Sequence, residues 1–253
     1  VAAISVEHLT KRYASGTLAL SDVNLEIADG EFVSVVGPSG CGKSTLLRIM
    51  AGLETASEGR IVLDAQAAVP APGHLASAMV FQEAALFPWM TVEQNVALAF
   101  DSLNVARAEV NERVSRELEL VGLTKFAKAY PHQLSGGMKQ RAAVARAFAV
   151  DPPVLYMDEP FGALDEQTRV AMAGELLALW ERSRKTVVFI THGIEEAITL
   201  SDRIVVFSSS PGTVKEVIAV DFPRPRDAIA LRGDKNFGEY VVRIWDLLRP
   251  TAK

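Results

Sequence analysis

Nine consecutive residues, Gly37-Pro38-Ser39-Gly40-Cys41-Gly42-Lys43-Ser44-Thr45, have the types and spacing of a phosphate-binding loop, G-x-x-x-x-G-K-[ST]. Glycines let a backbone turn tightly enough for successive N–H groups to converge on a polyanion. A helix starting at the loop adds the positive end of its dipole. Lys43 supplies a full charge for the β- and γ-phosphates, and Ser44 a hydroxyl for Mg²⁺. The dinucleotide fingerprint G-x-G-x-x-G cannot be drawn through these glycines without putting Thr45 in the place of the third. The stretch predicts a nucleoside triphosphate site. Cys41 lies inside it, near a helix N-terminus and Lys43, which predicts a thiol of lowered pKa shielded by bound nucleotide, the alternative being a small buried filler.

Two further stretches put reactive groups where such a site needs them. Val154-Leu155-Tyr156-Met157 reads as a strand buried on both faces, and it ends in Asp158-Glu159. Val187-Val188-Phe189-Ile190 ends in Thr191-His192 in the same way. Ligands bind at the carboxyl ends of parallel strands, so these tips belong beside the loop that follows Phe32-Val33-Ser34-Val35-Val36. The other histidines, His8, His74 and His132, have no such position. Tyr13, just after Lys11-Arg12, reads as a half-buried strand tyrosine or as an aromatic ring for adenine to stack on.

The elements that must hold these groups follow from patterning. Residues 4–36 alternate in short stretches broken by Ser15-Gly16 and Ala28-Asp29-Gly30, as in an antiparallel sheet. A helix over 46–51 follows the loop, then strands at 59–63 and 78–82 with an Ala/Pro-rich loop at 65–73 between them. From 83 to 150 the pattern is helical. Val110, Val114, Leu118 and Val121 share one face of a helix over 107–121, and another helix runs over 138–149. A helix over 167–182 precedes the strand at 187–190, and Ser208–Gly212 is a turn. Phe237, Tyr240, Val241, Ile244, Trp245 and Leu248 line one face of a C-terminal helix over 236–248, which predicts packing on the core.

Composition narrows the class. The chain has 253 residues, 49% hydrophobic and 23% charged, with a net charge of −5. It has no Lys/Arg block, which argues against a nucleic-acid platform. One cysteine rules out an internal disulfide and cysteine metal clusters. The start of the sequence lacks the basic region and long apolar core of a signal peptide. Its longest apolar runs, 96–100 and 176–180, have five residues, whereas a membrane span takes about 20. A soluble protein of a reducing compartment is expected, with any membrane role supplied by a partner.

Leu134-Ser135-Gly136-Gly137-Met138 lies between the loop and Asp158-Glu159. Alone it is a helix start capped by Ser135. Ordered with Gln82, Asp158-Glu159, Ala163-Leu164-Asp165 and Thr191-His192, it resembles the signature of ATP-binding cassette (ABC) ATPases over nearly the whole chain. Leu86-Phe87-Pro88-Trp89, Met138 and Phe222-Pro223-Arg224-Pro225-Arg226 look most like importers of nitrate, sulfonates and taurine.

The resemblance implies an α/β P-loop NTPase with a RecA-like parallel core, an N-terminal antiparallel β subdomain and an inserted α-helical subdomain. The whole chain is then one ATPase domain. Residues 1–82 and 151–220 form the core, 83–150 the helical subdomain with the signature, and 221–253 a helical tail. It implies ATP and Mg²⁺ as ligands, with Ser44, Gln82 and Asp158 toward the metal and Glu159 as the base for the attacking water. His192 then contacts the γ-phosphate and holds Glu159, and Asp165 either communicates across a dimer or caps the next helix. Two cassettes meet head to tail, so that Ser135, Gly136 and Gly137 of one close over the nucleotide of the other. The partners implied are a second ATP-binding subunit, transmembrane permease subunits and, indirectly, a solute-binding protein, with no nucleic acid. The implied location is peripheral, at the cytoplasmic face of the inner membrane. Leu86-Phe87-Pro88-Trp89 is either the permease-gripping surface or ordinary packing.

Two residues depart from the pattern. Met138 replaces a glutamine, removing a side-chain contact to the partner's ribose. Gly193 replaces an acidic or hydroxyl residue, which puts the cap of the following helix in doubt. A cassette ATPase acting on DNA or ribosomes would carry two cassettes or a long coiled coil. A small-molecule kinase has no use for the signature, and a catalytically dead module would not keep Lys43, Asp158, Glu159 and His192 together.

Overall fold

A computed structural model describes residues 4–63, 75–162 and 164–249. The loop at 65–73, His74 and Ala163 lie outside the described residues.

Two sheets form the frame. The smaller is antiparallel, in the order β2 (Leu18–Ile27), β1 (Ile4–Arg12), β4 (Glu58–Leu63). The larger runs β5 (Ser77–Val80), β6 (Val154–Asp158), β7 (Thr186–Ile190), β3 (Phe32–Val36), β8 (Arg203–Phe207), β9 (Val214–Ala219). Its first five strands are parallel and β9 returns antiparallel to β8. Every residue of β3, β6 and β7 is buried, because parallel strands are covered on both faces and take continuous apolar runs.

One side of this sheet packs on β1, β2 and α1 (Lys43–Met50), around Leu20, Tyr156 and Val188. The other side carries α5 (Glu166–Ser183), with Trp180 edge-on to Phe32 at 5.6 Å between ring centroids. That core continues into α2 (Val92–Ala97), α3 (Arg107–Leu120) and α4 (Gly136–Ala149). A third core joins α6 (Ile194–Leu200), β8 and β9 to α7 (Lys235–Leu248).

Several expectations are corrected. The segment 32–36 belongs to the parallel sheet, and β4 supplies the third antiparallel strand. The strand expected over 78–82 stops at Val80, where its partner β6 is one residue from its end, so Gln82 leaves the sheet. The helical region starts at Val92, since residues 81–91 form an irregular segment. α6, β8 and β9 were not anticipated. The C-terminal helix packs through buried Phe237 and Ile244, but Trp245 on the same expected face stays 56% exposed.

The segment before α7 is fastened to α6. Arg226 is buried and donates to the carbonyls of Ile198, Thr199 and Ser201, at 2.7 Å for Ser201. Burial lowers its guanidinium pKa. Arg224 stacks on Trp180, 4.2 Å from the ring centroid, and pairs with Asp202 at 2.8 Å.

Candidate functional site

The loop after β3 is shaped by two glycines that admit no side chain. A Cβ on Gly37 would lie 2.9 Å from Cys41 Sγ and 2.9 Å from Phe207 Cβ. Gly42 has φ +103°, and a Cβ there would meet the Ala19 carbonyl at 2.6 Å. As the residue before α1, Gly42 offers no capping side chain, so the amides of the first turn are left for an external acceptor. Lys43, 4% exposed, turns back over the loop, and its Nζ donates to the carbonyls of Gly37 at 2.8 Å and Pro38 at 3.0 Å. An ammonium over a loop that leads into a helix with uncapped first-turn amides is a polyphosphate-binding arrangement.

Parallel pairing brings the two acidic and histidine tips together. Asp158 is paired with Ile190 in the sheet, and the Glu159 amide donates to the Ile190 carbonyl at 2.9 Å. Ser44 Oγ donates to Asp158 Oδ1 at 2.9 Å, joining the loop to β6. Glu159 has φ +47°, a left-handed conformation costing about 1 kcal/mol for a residue with a Cβ. It turns the carboxylate to His192, whose Nε2 is 2.6 Å from Glu159 Oε2. Gln82 Nε2 donates to the same oxygen at a long 3.4 Å. The structure therefore brings Lys43, Ser44, Asp158, Glu159, Gln82 and His192 to one edge of the sheet.

The donor set suits Mg²⁺. Among the described residues no three His, Cys, Asp or Glu side chains cluster as a metal site. Mg²⁺ is held by one or two protein oxygens together with substrate phosphates and water, and the Ser44–Asp158 pair offers two such oxygens.

Cys41 contradicts its sequence reading. It is 1% exposed, and burial pushes its thiol pKa up, outweighing the nearby Lys43 charge. Its sulfur fills the space against Gly37, and it is a packing residue. Tyr13 lies just past β1 and is half-buried. Its hydroxyl sits 3.1 Å from Thr45 Oγ1 and donates to Glu54 at 3.2 Å, so the phenol borders the phosphate-loop helix.

Ser135 caps α4 by accepting the Met138 amide at 3.3 Å. Ser135 and Gly136 are exposed, and an added Cβ on Gly136 would meet nothing within 4 Å. Gly137 is buried, and a Cβ there would come 3.1 Å from Thr168 Cγ2 of α5. Asp165 caps α5, accepting from the Thr168 amide at 3.0 Å and hydroxyl at 2.7 Å. These bonds hold its carboxyl below the usual carboxylate range. Among the described residues, no hydrogen bond joins Ser135 to the phosphate loop.

The segment 84–91 is braced from below. Asn95, fully buried, accepts the Phe87 amide at 2.7 Å and donates to the carbonyls of Phe87, Met90 and Thr91. Arg146 donates to the Ala84 and Ala85 carbonyls. With the backbone polar groups satisfied inward, Phe87 (38% exposed) and Trp89 (68%) stand outward as a pair 5.3 Å apart. Phe87 also lines an apolar groove with Leu53, Phe81 and Ala85. Asn95 escaped the sequence reading, because a lone Asn in a helix carries no signal of what it braces. No helix among the described residues is long and apolar enough to cross a membrane.

Comparison with known proteins agrees with this geometry. The family model described as ABC transporter matches residues 20–162. The uncharacterized ABC transporter ATP-binding protein MJ0412 of Methanocaldococcus jannaschii is 45% identical over 249 residues, 97% of this chain and 91% of its own. The aliphatic sulfonates import ATP-binding protein SsuB of Bacillus cereus is 45% identical over 226 residues, 88% of each chain. Among solved structures, dimeric MJ0796, a bacterial ABC transporter cassette, superimposes with a TM-score of 0.74 at 34% identity, over 87% of this chain and 100% of that one. A dimeric post-hydrolysis state of MJ0796 bound to ADP and Pi gives 0.73 at 32%, with the same coverage.

Proposed function

The chain belongs to the ABC transporter ATP-binding family and is an ATPase, and from that premise we propose that it powers an importer of a small solute of the sulfonate, nitrate or taurine kind. Two such chains work beneath a separate permease fed by a solute-binding protein, as peripheral subunits on the cytoplasmic side of the membrane. The observation that carries the chemistry is the meeting of Glu159 with His192 beside the Ser44–Asp158 pair. The solute class rests on the likeness to the sulfonate-import protein SsuB.

In this reading the amides of Gly40, Gly42 and Lys43, with the side chains of Lys43 and Thr45 and the backbone of Pro38 and Ser39, cradle the phosphates of ATP, while the Cys41 amide closes the loop on the Pro38 carbonyl. Tyr13 borders the adenine side. Ser44 and Asp158 would hold Mg²⁺, which when bound would offset the charge that develops on the phosphates. Glu159 takes the proton of the attacking water, a role worth roughly 10²–10⁴ in rate. His192 keeps the Glu159 carboxylate in place and faces the γ-phosphate, and Gln82, donating to the same carboxylate oxygen, lies toward the metal and the water. Ser135, Gly136 and Gly137 of the partner cassette complete the site, with Asp165 near that interface. ATP then acts as glue, because only the closed pair makes both sets of contacts. The outward pair Phe87 and Trp89 grips the permease.

The test is Mg-ATP hydrolysis by the purified chain without an acceptor, followed by recovery of its partners from the native membrane. Phosphate release together with co-purification of a permease is expected. ATP turnover with no membrane protein attached would overturn the transport reading.

A further inference from the structure

The loop carrying His192 is tied down on both sides of the histidine. Gly193 precedes α6 and offers no capping side chain. Thr191, 4% exposed, takes over: its hydroxyl accepts the Gly193 amide at 2.9 Å and donates to the Glu196 carboxylate. The Thr191 amide in turn donates to the Val35 carbonyl at the end of β3. His192 is thus the exposed residue between two fixed ones.

Glu196 is expensive as a mere cap. It is 8% exposed, and its Oε1 has no hydrogen-bond partner. A buried carboxylate with one oxygen unpaired costs stability that an apolar residue would not. Space also ties it to the loop, since a Cβ at 193 would lie 3.2 Å from Glu196 Cβ and 3.3 Å from its Oε2. The groups facing it are the Thr191 hydroxyl and, at longer range, Arg169 and Glu166 of α5 and Glu159 beyond β6. Of these only the Thr191 hydroxyl hydrogen-bonds Glu196 among the described residues; Arg169 donates through its NH groups to the Leu164 carbonyl and to Glu166, and its Nε has no hydrogen-bond partner.

We propose that Thr191 and Glu196 are positioning residues that set the His192 imidazole against Glu159. Thr191 fixes the backbone on both sides of His192, and Glu196 fixes the rotamer of Thr191. The imidazole is about half exposed and meets Glu159, so a small backbone rotation at Thr191 would carry it off the carboxylate. The consequence for turnover rests on the reading that His192 serves hydrolysis.

The experiment compares Thr191→Val, which keeps the shape and removes the hydroxyl, with Thr191→Ser, which restores it. The first readout is the His192 ring proton resonances of the nucleotide-free protein at fixed pH, assigned by their loss in His192→Ala. Thr191→Val should shift them while those of His8 and His132 stay, and Thr191→Ser should leave all unmoved. The second is steady-state ATPase, with kcat expected to fall about fivefold or more in Thr191→Val at a KM for ATP within about twofold, and Ser near wild type. Unmoved His192 resonances in a folded Thr191→Val protein overturn the proposal. Shifted resonances with unchanged kcat would uphold the positioning and overturn the role of His192 in hydrolysis. If the valine variant does not fold, Thr191→Ala is read in the same way.

Discussion

The His192 imidazole and the Glu159 carboxylate meet at 2.6 Å although they are distant in sequence, because each lies just beyond one of two paired strands. The Glu159 amide donates to Ile190, two residues before His192. Strand pairing alone therefore brings a carboxylate and an imidazole together, and the positive φ of Glu159 turns the side chain toward its partner. That pair makes a specific demand on mutants.

Glu159→Gln keeps the volume and the hydrogen bond from His192 but cannot take a proton. ATP binding should stay within a few-fold of wild type, while phosphate release falls by about 10² or more. The mutant should also trap the closed pair of cassettes in ATP. Steady-state release by the purified mutant is the measurement, and near-normal turnover would remove Glu159 from the mechanism.

Cys41 should alkylate slowly, and at the same rate with or without saturating Mg-ATP. It is buried, and that burial raises the thiol pKa. Labelling with iodoacetamide checks this, and rapid modification should appear only on unfolding. Nucleotide-dependent protection at a fast basal rate would reinstate the reactive thiol.

What local sequence decides and what remote packing decides separate the legible from the illegible. The phosphate loop, the Asp158-Glu159 tip and His192 are legible because local sequence decides them: glycines where φ or space demands it, and apolar runs that end in polar residues. Cys41 was misjudged because its sequence neighbours argue for a low pKa, whereas Phe207 of a strand remote in sequence closes the space around Gly37 beside it. β8 and β9 are placed by pairing, β8 on β3 and β9 on β8, which no local motif at their ends announces. Glu196 reads as an ordinary helix glutamate, and only the fold shows it buried under Thr191.

Replacing both Phe87 and Trp89 with Ser should leave the ATPase activity of the isolated protein within about twofold, since surface changes away from the core usually cost under ~0.5 kcal/mol. Asn95 and Arg146 hold the backbone of this segment without either ring. Association with the permease should weaken. Unchanged co-purification and transport would assign the pair to ordinary surface.

Glu196 predicts a pH signature. Burial raises its carboxyl from the usual range to about 7. Below the unfolded carboxyl range both states are protonated and burial of the group costs nothing extra. As pH rises, the unfolded chain ionises first, so stability falls until the native carboxyl ionises near 7 and is level above that. Glu196→Gln lacks this slope. From pH 5 to pH 8 the mutant should gain on wild type by about 2 kcal/mol, measured by urea unfolding at each pH. Parallel curves would show that the native carboxyl is already ionised at acid pH.

Each ATP site is expected to be built from two chains. Ser135 and Gly136 face outward from the start of α4, and among the described residues nothing bonds Ser135 to the phosphate loop of its own chain. Take Lys43→Ala and Ser135→Arg, each damaging both sites of its homodimer. In a mixed dimer one site collects both lesions, and the other joins an intact phosphate loop to an intact signature. Mixing should restore activity beyond the sum of the separate mutants, with a quadratic dependence on protein concentration where dimerisation limits. A site contained within one chain predicts no rescue and strict linearity. Absence of rescue alone would not separate the cases, since both sites of a pair can be required to fire together. The decisive negative is a combination: no rescue, linear activity down to nanomolar protein, and a Glu159→Gln protein that stays monomeric in Mg-ATP by light scattering.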